Sequence, residues 1–340
     1  MKTINGSFGE GGGQILRTSL SLSAITGMDM HIEHIRANRP KPGMMRQHLA
    51  CAKAVAEICD GELEGAELKS QELILRPGKI RGGSYRFAIG SAGSTILLAQ
   101  AVLPVLLFAD EPSEVILEGG TYNTTDSPCF DFFKRVYLPC LSAMGLDVEA
   151  RMERIGFCPV GGGRIVLSVK PARGWKTFSL CERGDFRNAR VTALGCRLDE
   201  SILLDELRIF QDEMADMLEF QASAQSVEAD GSGNVLFAEL EYGNLTELFA
   251  ICGKFGVTRK TVAQQVAGMT RQYLENNWVA GLFLADQLLL PMALGAGGVF
   301  LTGRPTRHSE TNREVIRQFL DVDIKFNDYG HEMYEMEVVK

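Results

Sequence analysis

Short β-like runs and longer runs with helical spacing alternate along the chain. Three runs have the composition and flanking turn signals of strands, and they are residues 72–76, 84–89 and 114–118. Four runs carry apolar residues on one helical face, and they are residues 17–25, 43–58, 91–107 and 131–144. This alternation predicts an α/β (α+β) protein.

A change of character between residues 183 and 277 predicts an insert, because the helix-like runs there, 205–220 and 261–275, are strongly charged. We interpret this stretch as a small βαβα domain. The flanking segments, 1–182 and 278–340, then form one larger domain. Short glycine-rich and glutamine-containing motifs also recur in distant segments. Their similarity is explained either by chance or by one α/β unit that is used several times.

Composition narrows the function classes. The 340 residues carry a formal net charge of −8, so a broad electrostatic grip on a nucleic-acid backbone is not expected, and such a substrate would be held at a local basic site. The eight cysteines have no metal-ligand spacing. The longest apolar stretch, residues 96–109, is too short to span a bilayer. We therefore expect a cytoplasmic enzyme with reduced thiols.

A glycine-rich segment near the start of the chain, residues 9–17, is a candidate phosphate site. It leads into a predicted helix, and glycines before a helix let backbone N–H groups converge on an anion. Arg17 lies one turn into that helix. Glu10 fits beside a phosphate if Mg²⁺ or Mn²⁺ lies between them. The alternative is a tight turn with a solvated glutamate, and no Walker A or dinucleotide motif is present.

Two further segments carry groups that suit phosphates and nucleotides. Residues 36–48 hold four basic residues and no acid, and arginine suits a terminal phosphate because its guanidinium is a bidentate donor. The alternative is a solvated basic face. Gln100 lies on an otherwise apolar helix that follows small residues at 90–95. It is either a satisfied core amide or a reader of a nucleotide edge.

His308 is placed between glycine-rich sequence and a predicted helix start, unlike the other four histidines. Neutral imidazole is a good nucleophile toward phosphorus at physiological pH. Ser309, Thr311 and Asn312 are suited to cap the helix that follows. A surface histidine in a capping turn is the alternative that the residues leave open.

Seven segments, in order and over nearly the whole chain, together resemble the RNA 3′-terminal phosphate cyclase family. They are residues 9–17, 36–48, 86–100, 119–121, 156–163, 283–291 and 308–312. The segment 156–163 matches the family's glycine-rich signature, although Ile155 stands before it where a basic residue is usual. Paralogues that lost catalysis lack the histidine, so His308 favours the cyclase proper.

The resemblance implies a fold and a set of ligands. The larger domain is expected to consist of three ββαβα-like repeats similar to the C-terminal domain of translation initiation factor 3. The insert is expected to be thioredoxin-like without redox cysteines. ATP, a divalent metal (Mg²⁺ or Mn²⁺) and RNA 3′-phosphate ends are the implied ligands, with no membrane partner. The resemblance implies nothing about the oligomeric state.

The resemblance also implies roles for individual residues. His308 matches the nucleophile that takes AMP, and Glu10 matches a metal-binding carboxylate. The residues matched to nucleotide phosphates are Arg17 and Arg39, and those matched to the RNA end are Arg36, Arg39 and Gln47. The residues matched to the nucleotide site are Gln100, Phe283, Leu284, Ala285, Asp286 and Gln287. Phe283 stands where the family often has Tyr, and it keeps an aromatic face for adenine.

The implied activity is the ATP-dependent closure of an RNA 3′-phosphate into a 2′,3′-cyclic phosphate, with release of AMP and pyrophosphate. It would proceed through a histidine-bound AMP and an RNA–diphosphate–adenosine end. One alternative is an enolpyruvyl transferase built from similar repeats, and another is a non-catalytic RNA-processing scaffold. Only the cyclase predicts that the protein retains acid-labile label from α-labelled ATP.

Overall fold

The structure is a computed structural model that describes residues 1–124 and 127–340. Within these residues the strands form four sheets of four strands each. Three of the sheets share one connectivity, and the fourth has its own. In this described part of the chain, every helix is too short or too polar to cross a membrane.

The first sheet is formed by the N-terminal part of the chain. Its elements are β1 (Lys2–Asn5), α1 (Gly13–Thr26), β2 (Met30–Glu33), α2 (Arg46–Ile58), β3 (Glu62–Glu64) and β4 (Leu73–Arg76). The sheet order is β1-β2-β4-β3, in which β1 and β2 run parallel and the other neighbours antiparallel. Most of α1 is buried, so this helix lies inside the molecule.

The second sheet repeats this arrangement. Its elements are β5 (Gly83–Ala88), α3 (Thr95–Leu106), β6 (Ser113–Gly120), α4 (Phe130–Phe132), a π-helical turn (Phe133–Tyr137), α5 (Leu138–Ala143), β7 (Val148–Arg154) and β8 (Gly163–Val169). The order β5-β6-β8-β7 again starts with a parallel pair. The sequence predicts one helix over 131–144, and the structure has one continuous helical run over residues 130–143 whose middle turn is π-helical. Pro139 lies just after this wider turn and has no N–H to donate to it.

The third sheet is interrupted by the fourth. It begins with β9 (Phe178–Leu180), and the chain then forms β10 (Phe186–Cys196), α6 (Glu200–Met214), β11 (Gln221–Ser226), β12 (Gly233–Tyr242), β13 (Thr246–Cys252) and α7 (Arg259–Glu275). It returns with α8 (Leu282–Leu294), β14 (Gly298–Thr302), α9 (Arg307–Phe319), β15 (Asp323–Gly330) and β16 (Met333–Val339). The third sheet has the order β9-β14-β16-β15, with β9 and β14 parallel.

All three sheets therefore have the connectivity βαβαββ, in place of the expected ββαβα. The physical reason is the parallel first pair, which a tight hairpin cannot join and which needs a helical crossover between its strands. The fourth sheet has the order β11-β10-β12-β13 and the connectivity βαβββα, two strands more than the expected βαβα. These extra strands include the hairpin β12–β13, whose turn contains Gly243 and Asn244.

The helices bring distant segments together. α1 packs against α2, α3 and α9, and α8 packs against α9. The glycine-rich start of α1 therefore lies beside the start of α9, and α3 and α8 flank the two. A polar site formed at this junction draws on all three repeated units.

Candidate active site

A cavity of about 320 Å³ lies between α1, α3, α8, α9 and the fourth sheet. The predicted site residues that line it are Arg17, Gln100, Phe283, Asp286, Gln287 and His308. Leu284 and Ala285, which the resemblance also implied, are buried in the core instead. Residues 283, 286 and 287 share one face of α8, because helical periodicity turns residues 284 and 285 away from the cavity.

His308 lies in the first turn of α9, with its side chain exposed at the cavity. Its Nδ1 lies 2.9 Å from Gln14 Oε1, at the start of α1. In the neutral tautomer that donates from Nδ1 to this oxygen, Nε2 carries the ring lone pair. The helix is capped by Thr306, whose hydroxyl accepts the Ser309 N–H at 3.2 Å. The expected caps, Ser309, Thr311 and Asn312, have other partners.

Thr311 docks α9 onto the glycine-rich loop. Its hydroxyl accepts the Glu10 N–H at 3.0 Å and donates to the Arg307 carbonyl at 2.6 Å. Gly9 has a φ of +56°, and a Cβ there would overlap Thr311 Oγ1. The loop therefore needs glycine at this position both for its backbone conformation and for the close approach of α9.

Glu10 and Arg39 form an ion pair between Oε1 and Nη2. The other carboxylate oxygen, Oε2, is buried without a hydrogen-bond partner in the described part of the chain. It lies so close to Gly12 that a Cβ there would overlap it. The described residues contain no group of three or more His, Cys, Asp and Glu side chains arranged for a metal ion. One carboxylate with an open oxygen suits a hard divalent ion that keeps water and phosphate oxygens as its other ligands.

Arg17 and Asp286 line the same cavity, and neither belongs to an ion pair among the described residues. Burial lowers the pKa of Arg17. Burial raises the pKa of Asp286 to about 7, against the opposing effect of Arg17. Asp286 Oδ1 is also buried without a hydrogen-bond partner. The cavity therefore presents one guanidinium and one carboxyl oxygen whose hydrogen bonds are left for a ligand.

Gln100 and Gln287 connect α3 with α8, because Gln100 Nε2 donates to Gln287 Oε1. Gln287 Nε2 in turn donates to the Phe283 carbonyl at 2.7 Å. The Phe283 side chain is 57% exposed at the rim of the cavity. An exposed ring on a braced helix is suited to stack on a flat heterocycle.

Two residues matched to the RNA end brace the basic loop. Arg36 Nη1 donates to the carbonyls of Lys41 and Gly43, at 2.7 and 2.8 Å. Gln47 Oε1 accepts the Ser94 N–H at 2.7 Å, which joins the basic loop to the turn before α3. Arg36 and Gln47 keep further N–H groups beyond these bonds, and Arg39 keeps others beside the Nη2 group that pairs with Glu10.

His48 is the last residue of the basic segment, and no role at the site is predicted for it from the sequence. Its Nδ1 accepts the Met45 N–H at 3.1 Å, and its other edge lies against Gly13. Its pKa is lowered to about 3 by burial and by the nearby charges of Arg17 and Arg36. The ring is therefore neutral in the folded protein, close enough to both guanidinium groups to feel their charges.

Asn312 is another site residue whose role differs from the expected cap. It is buried, its Oδ1 accepts the Thr18 hydroxyl at 3.1 Å, and its Nδ2 donates to the Asp286 carbonyl at 2.9 Å. One side chain thus ties α1, α8 and α9 together. The cavity wall on the other side was missed entirely, and its residues are Leu248, Ala250, Ile251 and Met269. In the sequence, these apolar residues of the insert cannot be distinguished from other core residues, so their contact with a distant helix cannot be predicted.

The chain was also compared with known protein families. It matches the family model described as RNA 3′-terminal phosphate cyclase over residues 8–326. The matched range includes every site residue described above and the whole fourth sheet.

Proposed function

Because the chain belongs to the RNA 3′-terminal phosphate cyclase family, we propose that it closes an RNA 3′-phosphate into a 2′,3′-cyclic phosphate with ATP, using His308 as the nucleophile. The observation that carries the proposal is the position of His308. It stands where the cavity meets the glycine-rich loop, with Nδ1 held by Gln14. The family also contains members without catalysis, and this histidine favours an active enzyme.

The cavity takes the nucleoside of ATP in this proposal. Phe283 stacks on adenine from the rim, and the Asp286 carboxyl, whose Oδ1 is buried without a hydrogen-bond partner among the described residues, is the acceptor for an amino hydrogen. Arg17 binds the α-phosphate, because its guanidinium lines the cavity, feels the charge of Asp286 and forms no ion pair among the described residues. The backbone N–H groups at the starts of α1 and α9 add positive potential beside it.

Three transfers follow from this arrangement. His308 Nε2 attacks the α-phosphorus of ATP, and the bond to the bridging oxygen breaks as pyrophosphate leaves. An oxygen of the RNA 3′-phosphate then attacks the same phosphorus, and the phosphorus–nitrogen bond breaks to give RNA–diphosphate–adenosine. The adjacent 2′-OH loses its proton and attacks the RNA phosphorus, and AMP leaves. This last step is intramolecular, so positioning supplies much of the acceleration.

Glu10 would hold a divalent ion in this proposal, since its Oε2 has no partner among the described residues. Such an ion neutralises charge on the phosphates. Arg39 keeps the carboxylate oriented, and together with Arg36 and Gln47 it holds the RNA end. Only the terminal phosphate needs a basic pocket, which reconciles an RNA substrate with a net charge of −8.

The proposal extends to domain organisation. The common βαβαββ connectivity supports three repeats similar to the C-terminal domain of initiation factor 3, formed by residues 1–182 and 278–340. In the fourth sheet, β10 pairs with β11 in parallel and with β12 in antiparallel orientation. This mixed pairing supports a thioredoxin-like insert over residues 183–277. We place the enzyme in the cytoplasm, where its cysteines remain thiols.

The test is covalent labelling with α-labelled ATP and Mg²⁺. Wild-type protein is expected to retain acid-labile label, and His308→Ala to retain none. His331→Ala is the control, since it changes an exposed histidine in the C-terminal hairpin. Label on the His308→Ala variant would contradict the mechanism. Unlabelled wild type that still binds RNA would favour a scaffold.

The RNA end supplies a second test. An RNA with a 3′-phosphate is expected to bind and to become cyclised, while the dephosphorylated RNA binds much more weakly. A 2′-deoxy terminus should stop the reaction after adenylation, because the attacking hydroxyl is missing. Binding that is unchanged by removal of the phosphate would contradict the proposed recognition.

A further inference from the structure

The fourth sheet forms one wall of the candidate active-site cavity. Leu248, Ala250 and Ile251 on β13 line the cavity. They face α8, which carries Phe283 and Asp286 on the other wall. The distance between these two walls determines whether a flat ring fits between them.

One buried carboxylate joins the two walls. Glu247, on β13, is 1% exposed. Its Oε2 accepts the Gly281 N–H at 2.7 Å, and its Oε1 accepts the Leu248 N–H at 3.2 Å. Gly281 is the N-cap residue of α8 and has no side chain that caps the helix. The carboxylate of a distant strand therefore supplies the cap.

The contact requires close approach of the backbone. A Cβ at Gly281 would lie 2.6 Å from Glu247 Oε2, closer than any normal contact. The φ of Gly281 is −67°, which other residues adopt without strain, so the need for glycine here comes from the carboxylate. Burial raises the pKa of Glu247 to about 7, and the ionised form of its carboxyl lies at the positive end of α8, where the helix dipole favours it.

We propose that Glu247 is a positioning residue for the nucleotide: it holds β13 against the start of α8 and thereby makes the inserted sheet a wall of the ATP site. This inference rests on the proposed function, because it assigns the cavity to ATP. The inserted sheet then has a role in nucleotide binding, and its position against the cavity is explained without a contact to RNA. Glu247 touches no reacting atom and acts through α8.

Two variants break the same contact from opposite sides. Glu247→Ala removes the acceptor, and Gly281→Ala pushes the acceptor away. Each is expected to raise the KM for ATP about tenfold, which corresponds to about 1.4 kcal/mol, while the maximal labelling rate stays within about threefold of wild type. Glu247→Gln keeps one oxygen for the Gly281 N–H and should restore most of the affinity.

The double variant and a matched control separate positioning from general destabilisation. Glu247→Ala with Gly281→Ala should be no worse than Glu247→Ala alone, because the clash disappears with the carboxylate. Glu206→Gln changes another carboxylate that is 1% exposed, in α6, which accepts an Asn234 N–H at 2.7 Å and does not line the cavity. It should leave the KM for ATP unchanged.

Calorimetric binding of an ATP analogue with a non-hydrolysable α,β bridge is measured beside labelling, and thermal unfolding checks that each variant folds. Folded Glu247→Ala and Gly281→Ala variants with wild-type affinity would overturn the inference. An equal loss of affinity in Glu206→Gln would also overturn it. Wild type that binds the analogue without being labelled would overturn the proposed function alone. Wild type that binds no nucleotide would overturn both.

Discussion

His48 should make the folded protein sensitive to mild acid. The ring is neutral in the folded state because burial and the charges of Arg17 and Arg36 lower its pKa from 6.5 to about 3. In the unfolded chain it takes up a proton near pH 6.5. Because the folded pKa is lower than the unfolded pKa, only the unfolded chain takes up a proton at His48 between these two values. The free energy of unfolding is therefore unaffected by His48 above pH 6.5 and decreases progressively as the pH falls toward 3.

The magnitude follows from proton linkage. One proton taken up only by the unfolded state changes the free energy of unfolding by about 1.4 kcal/mol per pH unit, once the pH is well below the unfolded pKa. Between pH 6.5 and about pH 5 the wild type should therefore lose about 1.5 kcal/mol through His48 alone. Carboxylates elsewhere also titrate in this range, so the difference between two variants is the informative quantity.

His48→Asn is the matched substitution. The asparagine oxygen takes the place of Nδ1 and still accepts the Met45 N–H, whereas the ionisable ring is gone. Urea unfolding at the two pH values gives the free energy of unfolding of each protein. The variant should lose about 1.5 kcal/mol less than wild type over this range. His331→Asn, at an exposed position, should behave like wild type.

Equal acid sensitivity of wild type and His48→Asn would refute this reasoning. It would mean that the ring is protonated in the folded protein or has an ordinary pKa there. An NMR titration of the ring gives the same answer directly, since no inflection is expected between pH 5 and 7. A further variant, His48→Lys, should be strongly destabilised, because it buries a cationic side chain near the charges of Arg17 and Arg36.

Three other substitutions test the site. Gly9→Ala should reduce covalent labelling at least about tenfold, because it strains a φ of +56° and pushes away Thr311. Asn312→Leu removes two buried hydrogen bonds between helices and should lower the free energy of unfolding by about 2 to 3 kcal/mol in urea. Asp286→Asn removes a carboxyl whose pKa is raised to about 7, so wild type should lose stability relative to the variant as the pH rises from about 4 to 7. Parallel pH curves for these two proteins would contradict the assignment.

The sequence offers candidate site residues from local chemistry, but it does not predict their contacts. His308, Glu10 and Arg17 stand in glycine-rich or turn-rich settings, and such settings follow from local chemistry. The partners of these residues are set by packing. The ion pair of Glu10 with Arg39 and the contact of His308 with Gln14 form only when α1 and α9 meet. Local patterns carry no information about that meeting.

The errors in the fold prediction have similar causes. The hairpin β12–β13 was missed because the charged helices around it dominated the composition of the insert. The connectivity of the three repeated units depends on which strands pair, and hydrophobic alternation cannot distinguish parallel from antiparallel neighbours for such short strands. The contact of Glu247 could not be predicted from the sequence for another reason. Its partner Gly281 lies across the site in a different element, and neither residue belongs to a recognisable motif.

The site depends on the whole chain rather than on one repeat. α1 supplies Arg17 and the first repeat supplies the glycine-rich loop, α3 supplies Gln100, and α9 supplies His308. The hydrogen bonds of Gln100 with Gln287, of Thr18 with Asn312 and of Gln14 with His308 each join two different repeats. The inserted sheet completes the enclosure from the remaining side. Nucleotide binding should therefore be lost before global folding when any one of these junctions is loosened.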